Sequence, residues 1–574
     1  MKRIFAAFVF FAFALHAEQF GPVSVEQVPQ AVRNIGRNGY FITEFRVANR
    51  GAEPAEVRMR LYSKSGFDCS AVRALLLAPG SVRNVTLYWP PVSSMNWRRS
   101  HIQPALALTV NGKRWENSLL SGAGFSEWNR TRGGNILISG TVPVSDYREF
   151  FAESAKPWME RQLAVSDIPV AQWGEHQRDY SSADVIWISS ADRVPPEVDR
   201  TLSNWVFAGG TLVVVVPPDE PWPEGKEPSG GRPLTVSHGW GGRVLVRPIP
   251  AAGLKTRPGK EKKESTPGLE YLKRQVKETG IVGDPGRLEV ENCFSLLKLP
   301  IPGVPLQLLF FVMLVFVIVI GPVNFMILRK LRREPLILLT TPVISLLFCL
   351  LVIGFITMGE GWYSRAKAVG VTLLDQDANL AATRAVVAVY APSAPRGGFE
   401  FDSEDVLRFA GAGRLELRED NSQHLAAGLL QPRIPLGYSA ERVSVQREHL
   451  KLTREAEGVG VVNGLGVRLV SLFVVAPDGA VYAAAGKIEP GARALLRPSG
   501  ETAGKPDLDS DKVWTQATLG GGFFRPNGII PRGYYVAVAE EPLFWTPGFR
   551  PDRFEVRHAV IGKFSFAGDS KDGN

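Results

Sequence analysis

Cysteine and histidine are scarce in this chain, whose 574 residues include three cysteines and seven histidines. Cys69, Cys293 and Cys349 are too few for a disulfide framework, and the scattered histidines lack the spacing of metal ligands. A Cys69–Cys293 bridge stays open as an alternative, although two distant cysteines are more often free and buried. We therefore expect neither a metal site nor a cofactor.

An excess of one charge sign is also missing from most of the chain. The 66 basic and 57 acidic residues give a net charge of +9, but they are interleaved along the sequence. Nucleic-acid binding requires a basic face or stripe, so we expect no nucleic-acid partner. The length predicts several domains, and the 42 prolines favour β structure over long helices.

Two apolar runs without any ionisable residue predict a transmembrane hairpin. Residues 305–328 and 336–358 are each long enough for the roughly 20 residues that cross a bilayer. Ionisable groups mark most intramembrane pathways, so their absence favours an anchor over a conduit. Residues 1–17, with Lys2 and Arg3 before a shorter apolar run, predict a signal peptide.

The segment between the two spans, residues 329–335, is short and strongly basic. It contains Arg329, Lys330, Arg332 and Arg333. Basic residues in short loops stay in the cytoplasm, so these four determine a topology with both large regions outside. The sequence therefore predicts a protein of the bacterial cytoplasmic (inner) membrane, with the lipid bilayer and other envelope proteins as its partners.

The regions 18–130 and 360–574 have the patterns of β domains. The run VRMRL (57–61) alternates apolar and basic residues with the period of a half-buried strand. An immunoglobulin-like sandwich is the best fit for the first region, and a β-rich domain for the second. Within the second, APDGAV (476–481) predicts a hairpin turn.

The region 131–300 alternates between strand and helix patterns. Near-continuous apolar strands joined by helices indicate a buried parallel sheet, so we predict an α/β domain. The predicted strands are NILISG (135–140), ADVIWISS (183–190), TLVVVV (211–216) and GRVLVRPIP (242–250). The predicted helices are SDYREFFAES (145–154) and PPEVDRTLSNWVFAGG (195–210), the second with prolines at its start and glycines at its end.

The segment 183–217 resembles the class I glutamine amidotransferase-like fold. The whole order of regions resembles a family of uncharacterised bacterial membrane proteins. That order runs from signal peptide and β domain through the amidotransferase-like domain and the hairpin GPVNFMILRKLRREP to the C-terminal β-rich domain. The resemblance implies a fold and a location, and it implies no known reaction.

The nucleophile of working amidotransferases is missing where the resemblance would put it. These enzymes carry a cysteine on a glycine-flanked turn after a strand, served by a histidine and an acid. Here TLVVVV continues as PPDEPWPEG, without cysteine, serine or threonine. Prolines supply no N–H group for such a turn. We therefore expect no catalytic residue for amidotransfer.

Any ligand of this domain is expected beyond the carboxyl ends of the parallel strands. The candidate residues there are Ser189, Ser190, Asp192, Asp219 and Glu220. Alternatively, Ser190 and Asp192 cap the following helix, while Asp219 and Glu220 face water. The nearby His176, beside Glu175 and Asp179, is predicted to lie in an exposed loop.

Three functions fit this sequence. The preferred one is a membrane-anchored envelope protein whose exported domains bind or organise other components without catalysis. An alternative is an exported hydrolase or carbohydrate-processing enzyme that uses the carboxylates of the α/β cleft as acid and base. The third is an accessory subunit of a membrane transport complex.

Overall fold

The computed structural model of the chain describes residues in sixteen ranges. These are 18–28, 39–63, 69–89, 92–93, 104–117, 135–142, 162–166, 168–183, 185–223, 234–247, 297, 299, 306–360, 363–410, 415–499 and 530–566. The predicted signal peptide, the predicted helix 145–154 and Cys293 lie outside them. The described part is mostly β-sheet with few helices, two of which are apolar enough to cross a membrane, which confirms the predicted classes at that level.

Nine strands come from the N-terminal region. They are β1 (Glu18–Phe20), β2 (Val23–Val28), β3 (Phe41–Asn49), β4 (Ala55–Ser63), β5 (Cys69–Leu77), β6 (Val82–Trp89), β7 (Val92–Ser93), β8 (Pro104–Val110) and β9 (Lys113–Asn117). β1, β2, β3 and β6 form one antiparallel sheet. In β4 the apolar side chains of Val57, Met59 and Leu61 are buried, as the alternation predicts.

The described residues of the α/β region form six strands and one long helix. They are β10 (Asn135–Ser139), β11 (Gln162–Ser166), β12 (Val185–Ser189), α1 (Pro196–Phe207), β13 (Thr211–Val215), β14 (Leu234–His238) and β15 (Gly241–Val246). The sheet order is β11-β10-β12-β13-β15-β14, and only the β14–β15 pair is antiparallel. All five residues of β12 are buried, which is why its sequence is continuously apolar.

Two long apolar helical segments follow. The first consists of α2 (Leu306–Ile318), a π-helical turn at Val319–Val323 around Pro322, and α3 (Asn324–Lys330). The second is α4 (Ile337–Glu360). The candidate spans have mean hydropathies of 2.7 and 2.5, and their apolar side chains are largely exposed. The rings of Phe316 and Phe348 meet at 5.1 Å and join the two segments.

The C-terminal region adds fourteen strands. The first seven are β16 (Arg365–Asp375), β17 (Leu380–Tyr390), β18 (Phe399–Asp402), β19 (Val406–Ala410), β20 (Leu415–Glu419), β21 (Ser422–Leu425) and β22 (Leu436–Val445). The others are β23 (His449–Glu455), β24 (Gly458–Gly464), β25 (Leu469–Val475), β26 (Val481–Ala483), β27 (Arg493–Pro498), β28 (Tyr534–Ala539) and β29 (Arg553–Lys563). β25 and β26 form the predicted hairpin around Asp478 and Gly479.

Strands from before and after the two apolar helical segments share two sheets. A seven-stranded sheet has the order β18-β21-β20-β5-β4-β8-β9, and a twelve-stranded sheet ends in β22-β19-β7. The joining pairs, β20 with β5 and β19 with β7, are both parallel. One apolar core contains Phe45 and Val57 from the N-terminal strands together with Leu407 and Leu417 from the C-terminal ones. The two regions therefore fold around a common core.

Candidate functional site

Three of the candidate residues lie in one tight turn at the carboxyl end of β12. Asp192 accepts a hydrogen bond from the backbone N–H of Ser189 at 2.8 Å and another from the Thr141 hydroxyl at 2.6 Å. The Ser189 hydroxyl accepts from the Ala191 N–H at 3.2 Å. Asp192 thus fastens the turn after β12 to the turn after β10. The cap expected from it is not formed, because α1 begins after Pro195 without a side-chain cap.

The two acidic residues after β13 have different surroundings. Glu220 accepts a hydrogen bond from the Ser190 hydroxyl, which brings it to the β12 turn. Asp219 is exposed, and it makes no hydrogen bond or ion pair with any residue that the structure describes. Four of the five candidate residues therefore lie together at the carboxyl edge of the sheet, and Asp219 does not join them.

An arginine occupies the place where a nucleophile turn would follow β13. Arg247 donates from Nη1 to the carbonyl oxygens of Val216 at 3.4 Å, of Glu220 at 3.0 Å and of Pro217. The indole ring of Trp222 lies 5.3 Å from the guanidinium carbon. An oxyanion hole needs N–H groups that point at the reacting atom, whereas this turn directs carbonyl oxygens at a cation.

The hydroxyl groups of the carboxyl edge have no histidine base within the described residues. Ser190 is bonded to Glu220, and the imidazole of His238 packs on Phe207 with ring centroids 5.2 Å apart. His176 is bonded to Glu404, away from this edge. The geometry offers carboxylates and hydroxyls for polar contacts, and no activated nucleophile.

The segment His176–Tyr180 (HQRDY) forms a second polar cluster, where the α/β region contacts the sheets shared by the N-terminal and C-terminal regions. The prediction of an exposed loop holds for Glu175 and His176, which are exposed, and is wrong for Asp179, because the four residues of the 3-10 turn at Gln177–Tyr180 are buried. Arg178 forms a buried ion pair with Glu419 of β20, and its guanidinium lies 3.9 Å from the ring centre of Tyr88 in β6. The HQRDY segment therefore joins three parts of the chain.

Further contacts surround this ion pair. The Tyr88 hydroxyl donates to Asp179 at 2.9 Å, and His176 Nδ1 lies 2.7 Å from the Glu404 carboxylate. The Tyr40 N–H donates to the Ser181 hydroxyl at 2.9 Å. The signal of this cluster in the sequence is a charged, aromatic stretch, HQRDY, between apolar strands. Its acidic and aromatic partners are far away in the chain, so the sequence does not identify them.

The charges of this cluster have shifted pKa values. Burial raises the pKa of Asp179 and the pKa of Glu419, although the positive charge of Arg178 acts to lower both. Burial has the largest single effect on the pKa of Glu404 and raises it, but the hydrogen bond and charge of His176, the charge of Arg178 and the Gln177 N–H together lower that pKa. The same hydrogen bond raises the pKa of His176. The His176–Glu404 pair is therefore favoured in its charged form.

The C-terminal end of α1 contacts the twelve-stranded sheet. Arg384 of β17 donates to the carbonyl of Ala208, which ends the helix, and its guanidinium lies 4.8 Å from the Trp240 ring centre. Gly209 has a φ of 117°, which an L side chain would strain, and a Cβ at Gly210 would collide with the Trp205 indole. The glycine pair thus allows both the end of the helix and its contact with Arg384.

The four basic residues predicted to determine the topology lie where the first apolar segment ends and the turn to the second begins. Arg329 and Lys330 end α3, and Arg332 and Arg333 follow in the turn before α4. All four side chains are exposed at the end of the helical hairpin. Within the described residues there is no group of three or more histidine, cysteine, aspartate and glutamate side chains that could hold a metal ion.

Comparison with known proteins leaves the family open. No family model matches the sequence, and no curated protein matches it at a significant level. Among solved structures, the yeast delta-COP-I mu-homology domain, in complex with a Dsl1 WxWxV peptide, matches 35% of this chain and 95% of its own. The identity is 8% and the TM-score is 0.17, so no argument rests on this likeness.

Proposed function

We propose that this chain is a membrane-anchored bacterial envelope protein whose extracytoplasmic regions bind or organise other envelope components without catalysis. In this proposal the N-terminal β region is an immunoglobulin-like sandwich, and the region 131–300 is an amidotransferase-like domain that lacks its nucleophile. The helical segments anchor the protein in the cytoplasmic membrane.

The shared sheets support the proposal that the regions before and after the hairpin lie on the same side of the membrane. β20 pairs with β5 and β19 with β7, so the regions before and after the apolar helices are parts of one folded body. A polypeptide whose two ends belong to one body crosses a bilayer an even number of times. Two crossings, in and back, satisfy this requirement.

The dimensions and charges of the helical hairpin agree with two crossings. α4 has 24 residues, which gives roughly 36 Å of helix against a hydrocarbon core of roughly 30 Å. The exposed basic residues from Arg329 to Arg333 lie at the end of the hairpin that is distant from the sheets. Basic residues in short loops favour the cytoplasmic side, so the folded body is assigned to the outside.

The carboxyl edge of the parallel sheet supports a role without catalysis. Arg247 fills the turn after β13, and the prolines there offer no N–H donor. Asp192 and Glu220 are engaged in hydrogen bonds that hold the turns. The polar groups of this edge therefore suit recognition of a polar partner better than turnover of a substrate.

Cysteine accessibility tests the topology. In a background with the three native cysteines changed to alanine, single variants Leu76→Cys, Val445→Cys and Arg332→Cys are treated with an impermeant maleimide in intact spheroplasts. Leu76 and Val445 are 65% and 72% exposed, one before and one after the hairpin. We expect both to be labelled, and Arg332→Cys only after permeabilisation. Labelling of just one of the first two would contradict a common side.

A further inference from the structure

β16, the first strand after the hairpin, begins at one end of the twelve-stranded sheet, where β29 also begins and β17 ends. α4 ends at Glu360 and β16 begins at Arg365, so at most about 17 Å of extended chain separates them. Arg365 is in register with Arg553 of β29 and with Tyr390 of β17. This edge is therefore the membrane-proximal end of the folded body.

Three loops at this edge are linked to one another and to the residues that follow α4. The N–H of Arg433 donates to the Ala391 carbonyl at 2.8 Å, which joins the loops 391–398 and 431–435. The rings of Phe399 and Phe549 lie 4.9 Å apart, which brings the loop 546–552 beside them. Asp552 in turn accepts two hydrogen bonds of 2.7 Å from Ser364.

These loops carry exposed arginines, which we call the arginine rim. The rim consists of Arg396, Arg433, Arg550 and Arg553. The guanidinium of Arg553 lies 5.3 Å from the ring centre of Tyr363. Two exposed apolar side chains accompany the rim, Tyr363 at 53% and Ile434 at 52% exposure.

The acidic residues beside the rim are already engaged. Asp552 is bonded to Ser364, which lowers its pKa, and Glu400 accepts a hydrogen bond from the Ser422 hydroxyl at 3.0 Å. The four exposed arginines thus outnumber the two engaged carboxylates, Asp552 and Glu400, so this end of the sheet keeps a positive excess close to the end of α4.

We propose that the arginine rim binds the phosphate groups of anionic phospholipids in the leaflet that faces the folded body. Guanidinium groups bind phosphate oxygens through paired hydrogen bonds, and a basic juxtamembrane surface is attracted to anionic lipid. Tyr363 and Ile434 would then enter the interfacial layer, where aromatic and apolar tips are stable. The inference rests on the proposed membrane insertion and adds an orientation to it.

Fluorescence quenching in nanodiscs tests this contact with the full chain. An environment-sensitive fluorophore is placed on Ile434→Cys, in the cysteine-free background, and the discs contain a headgroup-level spin-labelled lipid as quencher. We expect strong quenching when phosphatidylglycerol is present, weak quenching in phosphatidylcholine alone, and loss of the difference at high salt, because exposed charges are screened. Equal quenching in both lipids would overturn the proposal.

Two variants that each lose three arginines distinguish lipid binding by the rim from a general effect of positive charge. The triple variant Arg396→Gln, Arg433→Gln, Arg550→Gln should fall to the quenching seen in phosphatidylcholine, and the corresponding lysine variant should retain most of the lipid dependence. The control variant Arg447→Gln, Arg468→Gln, Arg497→Gln removes three exposed arginines elsewhere in the C-terminal region and should behave as the parent. A control that loses quenching as the rim variant does would overturn the proposal.

A second label distinguishes this inference from the proposed anchor. Leu347 lies in α4 and is 59% exposed, so a fluorophore on Leu347→Cys should be quenched by acyl-chain spin labels in either lipid. Quenching at 347 without lipid-dependent quenching at 434 would leave the anchor intact and remove the rim contact. Absence of quenching at 347 would contradict both. Inorganic phosphate should reduce the quenching at residue 434 no more than chloride does at the same ionic strength.

Discussion

At the scale of single residues, His558 is the clearest case of a titratable group that the fold keeps uncharged. Its Nδ1 accepts from the Trp545 indole at 3.0 Å, so the proton is on Nε2, which donates to the Thr372 hydroxyl at 2.8 Å. Complete burial lowers the pKa of His558 to about 3. The ring therefore has a fixed tautomer and a structural role in the core.

This burial predicts how stability depends on pH. Between pH 7 and pH 5 the unfolded chain gains a proton on His558 and the folded chain does not, so acidification favours unfolding. The contribution of His558 to the free energy of unfolding should fall by about 2 kcal/mol over this interval. Guanidinium titrations in detergent at both pH values measure it.

His558→Gln supplies the control for that measurement. Glutamine can accept from Trp545 and donate to Thr372, but it does not titrate. The loss of stability between pH 7 and pH 5 should be smaller in this variant than in the parent by the amount assigned to His558. An equal loss in both proteins would show that the imidazole of the parent does not resist protonation.

At the scale of elements, the HQRDY segment connects the α/β region to β20 of the seven-stranded sheet through a buried ion pair. The side chains of Arg178 and Glu419 are 5% and 6% exposed. Removal of one partner would leave a buried charge, which costs roughly 3–5 kcal/mol, while removal of both costs less. The polar cluster therefore determines how the two elements fit together.

Substitution of this pair tests that role. Arg178→Met should lower the free energy of unfolding by roughly 3–5 kcal/mol, and Arg178→Met with Glu419→Gln should recover part of the loss. The matched control is Arg418→Met, which removes an ion pair of Glu416 with a half-exposed arginine and should cost at most about 1 kcal/mol. Guanidinium unfolding measures all three. Equal losses for Arg178→Met and Arg418→Met would contradict a special role of the buried pair.

Local sequence patterns predicted which strands and helices form in the α/β region, but they did not predict which distant segments contact one another. β12, α1 and β13 follow from apolar runs and from helix-ending glycines, which are properties of neighbouring residues. The pairing of β20 with β5 joins segments on both sides of the hairpin, and no local pattern connects two strands so far apart in the chain. Neither Arg178 nor Glu419 reveals its partner in the sequence, because each alone has the pattern of a surface charge.

At the scale of the whole molecule, the order of synthesis conflicts with the order of strands in the sheets. β5 is made before the hairpin, and its neighbour β20 is made after it. Until β20 arrives, one edge of β5 has unpaired N–H and C=O groups, and an unpaired edge invites association with other chains. The shared core likewise lacks Leu407 and Leu417 until the C-terminal region is complete. Folding of the sandwich must therefore be late.

The same arrangement predicts that the folded body forms without the hairpin. The variant replaces residues 300–361 with a flexible glycine–serine linker of about 20 residues, whose mean end-to-end distance is roughly 25 Å. We expect a soluble protein, since the exposed apolar helices are removed while the β20–β5 and β19–β7 pairs remain. Sedimentation and amide hydrogen exchange would report a monomer with protected amides in β5 and β20. A truncation after Glu360 is the matched control, and the amides of β5 should be less protected in it, because β4 remains beside β5 while β20 and the C-terminal part of the shared core are lost. Equal protection of β5 in both proteins would mean that the N-terminal strands fold independently.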